Sequence, residues 1–120
     1  MTVLSLMKRQ RASLQPTLAA CALLGRLIRV ARKEQRWSEH ALAERALISR
    51  STLQKVERGD PSVAIGIVFD CAHLVGVPLF PDTEPSSPVR TLGQAIARAD
   101  DRLALLPKRV RTPVNVDDDF

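Results

Sequence analysis

Arg50, Ser51, Gln54, Lys55 and Arg58 fall close together in the segment ALISRSTLQKVERGDPS, residues 46–62. Between Arg50 and Arg58 only Leu53 and Val56 are apolar, and they stand three apart. On an α-helix that spacing puts both on one side. They would pin that side to a core and leave Arg50, Ser51, Gln54, Lys55 and Arg58 projecting outward. An exposed helix N-terminus carrying Arg, Ser, Gln and Lys has the donors that read guanine and adenine edges in a major groove. An ordinary solvated helix in a small bundle would show the same pattern, so the surrounding elements decide.

Ser49 can cap this helix at its N-terminus, and Gly59 can close it by adopting the left-handed conformation. A short helix precedes it, capped by Ser38, with Leu42, Ala43 and Ala46 facing inward. Two short helices joined by a tight turn, the second mostly polar, make a helix-turn-helix. Further upstream a helical pattern begins near Pro16. Leu24, Leu27, Ile28 and Ala31 recur at i, i+3, i+4 and i+7, with Arg26, Arg29, Lys33 and Arg36 on other faces. Downstream, after Asp60-Pro61, Ser62 is expected to cap a fourth helix. Val68, Cys71, Ala72 and Val75 mark its buried face and Gly76 its end.

The organisation expected is an N-terminal arm over 1–15, flexible or conditionally ordered, and a helical domain over 16–80. A proline-rich linker over 81–90 follows, then a C-terminal helix over 91–106 and a polar tail over 107–120. The linker reading rests on PLFPDTEPSSP, which holds four of the eight prolines. Leu92, Ala95, Ile96, Ala99, Leu103 and Leu106 form a narrow apolar stripe on the fifth helix, which Pro107 stops. The tail ends on Phe120 behind three aspartates. In the arm, VLSL can form a short strand if something pairs with it.

Composition agrees with an all-α fold. The chain has 120 residues, enough for one domain with a modest core plus tails. Aromatics are few, and Leu and Ala supply much of the apolar content. The net charge of +5 is uneven: residues 1–37 carry eight basic side chains against one Glu. A basic N-terminal third suits contact with a polyanion, nucleic acid or anionic membrane, or a solvated helix face. No stretch approaches the roughly 18 apolar residues a bilayer span requires, and the N-terminus has the wrong order for a secretory signal. A cytoplasmic protein without a membrane partner is expected.

Chemistry at a catalytic centre has little support. His40 and His73 stand alone, and no HExxH, Gly-rich phosphate loop or GxSxG elbow is present. Cys21 and Cys71 lack ligand spacing and read as small core residues. The acids Asp100-Asp101 and Asp117 to Asp119 read as solvated. No enzyme activity, metal or cofactor is expected.

With these elements in place, LGRLIRVARKEQRWSEHALAERALISRSTLQKVERGDPSV resembles the lambda-repressor-like, or XRE-family, helix-turn-helix domain. The resemblance covers roughly residues 18–78, and SRSTLQKVERG is its most specific part. GDPSVAIG, with Trp37 before Ser38, looks most like HipB-type antitoxins, the DNA-binding partners of HipA-like toxin kinases. The resemblance implies that Arg50, Ser51 and Lys55 face bases with Gln54 nearby, and that Ser38, Thr52 and Arg58 sit against phosphates. It also implies that Arg32 pairs with Glu57. A carboxylate on a DNA-facing helix would repel phosphate unless an Arg held it. Two positions depart from the family pattern. Glu39 stands where Gln is usual, close to an expected phosphate. Leu47 stands where Gly is frequent in the turn, so an alternative turn geometry is expected there.

The function these readings imply is a homodimeric, sequence-specific repressor of its own operon that is also the antitoxin of a HipA-like toxin kinase. An XRE-family regulator without a toxin, or an interaction module that has lost DNA binding, are the alternatives. Val75, Val77, Leu79 and Phe80 are expected at the dimer interface, in preference to the Leu92–Ile96–Leu103 stripe. Phe120 is expected to anchor a protein partner.

Overall fold

The structure, a computed structural model, describes residues 12–80 and 88–109. It divides into two units, Met1–Pro81 and Asp82–Phe120. The first holds α1 (Gln15–Glu34), α2 (Glu39–Ala46), α3 (Arg50–Arg58) and α4 (Ile65–Val75), and the second holds α5 (Pro88–Ala104). Among the described residues every regular element is a helix, and none is long and apolar enough to cross a membrane. The fold is all-α.

The first unit closes around Ile28 of α1, Leu42 and Ala43 of α2, Leu53 and Val56 of α3, and Cys71, Ala72 and Val75 of α4. Burying a Leu or Ile side chain contributes about 1.5–3 kcal/mol, which makes the fully buried Ile28, Leu42 and Leu53 strong anchors of this core. Trp37, Ile48, Val63 and Val77 cover the edges of this cluster. On α1 the buried line is Gly25, Ile28 and Arg32. Leu27, expected inside, is 44% exposed and shares the outer face with Leu23 and Val30. The inner face is narrower than the apolar pattern implied because α3 crosses α1 at a glycine. A Cβ on Gly25 would lie 2.6 Å from the Val56 carbonyl oxygen and 2.7 Å from that of Glu57. Gly59 returns the constraint: its φ is +80°, and a Cβ there would meet the Ala22 backbone at 2.6 Å.

Capping sets the helix ends. Ser38 Oγ accepts from the Ala41 N–H and Ser49 Oγ from the Thr52 N–H, each at 3.0 Å. Gly59 and Gly76 end α3 and α4 in the left-handed region. Leu47 ends α2 in the same way, with φ 58° and ψ 42°. The alternative turn expected for a non-glycine residue is therefore not what forms. The left-handed geometry costs an L-residue about 1–2 kcal/mol. It is held by the Leu47 N–H on the Glu44 carbonyl and the Ile48 N–H on that of Ala43, which satisfy last-turn acceptors. The Leu47 side chain pays no burial term in return, being 91% exposed.

Ser62 does not cap α4, which starts at Ile65 behind Ala64 with no side-chain cap. Instead the Ser62 N–H and hydroxyl both donate to Asp60 Oδ1, at 2.8 and 2.7 Å. The serine is consumed by this local turn two residues too early to serve the helix. The hydroxyl of Ser62, then its N–H, hold the Asp60 carboxyl below its usual range.

In the second unit α5 starts at Pro88, inside the segment expected as linker, and ends at Ala104. Leu105 and Leu106 follow in a turn bonded to the carbonyls of Arg102 and Leu103. Proline suits a first helical position, where its missing N–H costs nothing. The VLSL segment and most of the arm, the tail beyond Arg109 and Phe120 lie outside the described residues. Both cysteines are free thiols; Cys71 is in the core, whereas Cys21 is only half-buried.

Candidate nucleic-acid interface

Leu53 and Val56 hold α3 against the core, and Glu57 joins them on its buried side. Glu57 is buried because Arg32 of α1 meets it fork to fork. Arg32 Nε donates to Oε2 at 2.7 Å and Nη2 to Oε1 at 3.1 Å, while Nη1 donates to the Trp37 carbonyl at 2.9 Å. All three guanidinium nitrogens are thereby satisfied. Hydrogen bonding to Glu57 raises the Arg32 pKa above its ordinary value, against the opposing effect of burial. The Trp37 ring in turn carries the Arg45 guanidinium 4.3 Å from its centroid, and Gln35 Nε2 donates to the Val75 carbonyl at 2.6 Å. The end of α1, the loop before α2, the last turn of α2 and the end of α4 are thus tied together.

With that side occupied, Arg50, Ser51, Lys55 and Arg58 of α3 are exposed, and Thr52 and Gln54 are half-buried. Ser38 is exposed at the N-terminus of α2, its Oγ engaged as the cap. Ser49 Oγ donates to Thr52 Oγ1 at 2.9 Å, which leaves the Thr52 hydroxyl hydrogen for an external acceptor. Arg29, Glu39, Gln54, Glu57 and Arg58 line an open cleft of about 190 Å³.

Glu39 is placed against α3, a contact the sequence reading did not anticipate. Its Oε1 accepts from Arg50 Nε at 2.8 Å and from Gln54 Nε2 at 3.1 Å. The bond from Arg50, then that from Gln54, hold the Glu39 carboxyl below its usual range. The available signal was an acid at the first position of one helix and a base at the first position of the next. Packing of the N-terminal end of α2 against α3 brings these two positions together.

The four residues expected at a dimer interface do not share one environment. Val75 is 3% exposed and belongs to the core, because the end of α4 packs inward. Its side chain is therefore not available to a second copy. Val77 and Leu79 are half-buried on the core's edge, and Phe80 is 50% exposed. Among the described residues no group of His, Cys, Asp and Glu could hold a metal ion.

Residues 28–80 match the family model described as Helix-turn-helix. No curated protein and no solved structure matches the chain. The matched segment runs from Ile28 in α1 through α2, the Leu47 turn, α3 and α4 to Phe80, the region built around the Arg32–Glu57 pair. The match supports an XRE-type helix-turn-helix over this segment, and with it a DNA-binding transcription regulator.

Proposed function

We propose that this protein is a sequence-specific repressor that lays α3 in the major groove of its operator. The observation that carries this reading is the division of α3. Leu53, Val56 and Glu57 are sealed against the core while Arg50, Ser51, Lys55 and Arg58 face solvent. Arg50, Ser51 and Lys55, with Gln54 beside them, contact base edges; Ser38, Thr52 and Arg58 contact phosphates and set the register. One such helix reads only a few base pairs. A homodimer joined through Phe80 and the edges of Val77 and Leu79 would bring two copies of α3 onto half-sites about 34–36 Å apart.

The resemblance of GDPSVAIG and Trp37 to HipB-type antitoxins supports a finer role, repression of an operon that also encodes a HipA-like toxin kinase bound by this chain. Phe120 is the proposed anchor for that partner. Two measurements test the levels separately. Salt-dependent retention of a promoter fragment over an unrelated duplex tests repression, and equal retention of both would contradict it. Co-purification of a kinase-like product from the adjacent reading frame tests the antitoxin role, and a neighbour with no affinity for the chain would remove it.

A further inference from the structure

We infer that Glu39 is a specificity-determining residue of the DNA contact, presetting Arg50 for a guanine; this rests on the reading of α3 as the base-contacting helix. A guanidinium offers two edges for a bidentate pair: Nε with one terminal nitrogen, or the two terminal nitrogens together. Glu39 Oε1 takes Nε at 2.8 Å. The edge made by Nη1 and Nη2 has no hydrogen-bond partner among the described residues, and the side chain is 68% exposed. That edge suits O6 and N7 of guanine, both acceptors, and meets an unwanted donor at N6 of adenine.

The same Glu39 oxygen takes one N–H of Gln54 at 3.1 Å. Gln54 keeps its second N–H and its carbonyl, the pair that matches adenine N7 and N6. One carboxylate on α2 therefore holds two reading side chains a helical turn apart on α3, each with its pairing edge unspent. Ordering them before binding reduces the entropy lost on contact. The negative charge also acts alone: it opposes every phosphate equally, so it weakens sequence-independent binding. Glu39 thus lowers general affinity for DNA and raises discrimination, which is a difference of affinities.

The test compares the full chain with Glu39→Ala, Glu39→Gln, Arg50→Ala and Glu39→Ala/Arg50→Ala. Each is titrated against the selected operator, the same duplex with the Arg50-dependent guanine replaced by adenine, and an unrelated duplex. Glu39→Ala should bind the unrelated duplex more tightly at low salt while losing about tenfold in its guanine preference. Glu39→Gln, which can still accept from Arg50, should keep part of that preference. In the Arg50→Ala background, Glu39→Ala should change the preference no further. An unaltered preference in Glu39→Ala would overturn the inference, as would an equal loss in both backgrounds. Tighter operator binding at unchanged preference would make Glu39 a simple barrier and overturn it too. If the parent discriminated among no duplexes, the DNA reading itself would fail and this inference with it.

Discussion

Arg32 and Glu57 form a two-bond ion pair across α1 and α3, with both side chains all but removed from solvent. Its two bonds and the third to the Trp37 carbonyl fix where α3 sits relative to α1 and to the loop that leads into α2. Removing one partner leaves the other charge buried and uncompensated, at a cost of about 3–5 kcal/mol. Arg32→Met should lower the melting temperature sharply. Replacing both residues with apolar ones of similar volume should recover much of that loss. A single variant as stable as the parent, followed by thermal denaturation, would remove the pair from the account.

Gly25 has no room for a side chain. Alanine there would press into the Val56 and Glu57 carbonyl oxygens, and backbone cannot rotate away as a side chain can. Gly25→Ala should destabilise by about 1–3 kcal/mol or more, although alanine is the better helix former. A denaturant midpoint unchanged or raised by the substitution would show that α1 and α3 do not cross this closely.

Much of the fold was legible because its punctuation is local. Ser38 and Ser49 cap, and Gly59 and Gly76 terminate, through contacts within a few residues of themselves. Relations set by packing were harder to read. Leu47 adopts a conformation its residue type disfavours, held by bonds from the turn and not by its own side chain. Ser62 looks like a cap until Asp60 captures it. The spacing of Val75 puts it on the buried face of the fourth helix, where it lies; its place in the apolar run up to Phe80 suggested a dimer surface, which the packing of the end of α4 takes away. On the candidate site, the outward set from Arg50 to Arg58 followed from two apolar positions. The Glu39 contact did not, because it depends on how the N-terminal end of α2 packs against α3.

The thiols should differ in reactivity. Burial, chiefly, pushes the Cys71 thiol up to about 11, so little thiolate forms at neutral pH. Cys21 is only half-buried. A thiol reagent should label Cys21 in the native protein and Cys71 only after unfolding. The sign of the pH effect follows from the raised value. The favourable contribution of the neutral Cys71 thiol is complete below the ordinary thiol range and is lost as pH rises through it towards about 11. Equal labelling rates for the two cysteines in native protein would contradict the burial of Cys71.

The Glu39 contact should have its own pH window. Because its carboxyl is held below the usual range by Arg50 and then Gln54, the contact is complete above the ordinary glutamate pKa. It is lost as pH falls through the lowered value. A nuclear magnetic resonance titration should show the Arg50 Nε–H signal shifting only in that acidic range. A shift centred at or above the ordinary glutamate pKa would mean that the ionised carboxylate does not hold Arg50.

Phe80 should matter to assembly where Val75 cannot. Phe80→Glu places a charge on a half-exposed position and should give monomers at micromolar concentration without unfolding the domain. Ile96→Glu on α5 should leave the dimer intact. Sedimentation equilibrium showing the reverse would move the interface to α5.

If the exposed face of α3 reads bases, selection of binding sites from a randomised duplex pool will show it. The parent chain should enrich a two-fold symmetric site. Arg50→Ala should lose preference at one position in each half-site, since a good bidentate pair discriminates by about 1–3 kcal/mol. Arg58→Ala should keep the same site, bind every duplex more weakly and show a flatter salt dependence. Enrichment of the same site with undiminished preference by Arg50→Ala, or of no site by the parent, would contradict the account.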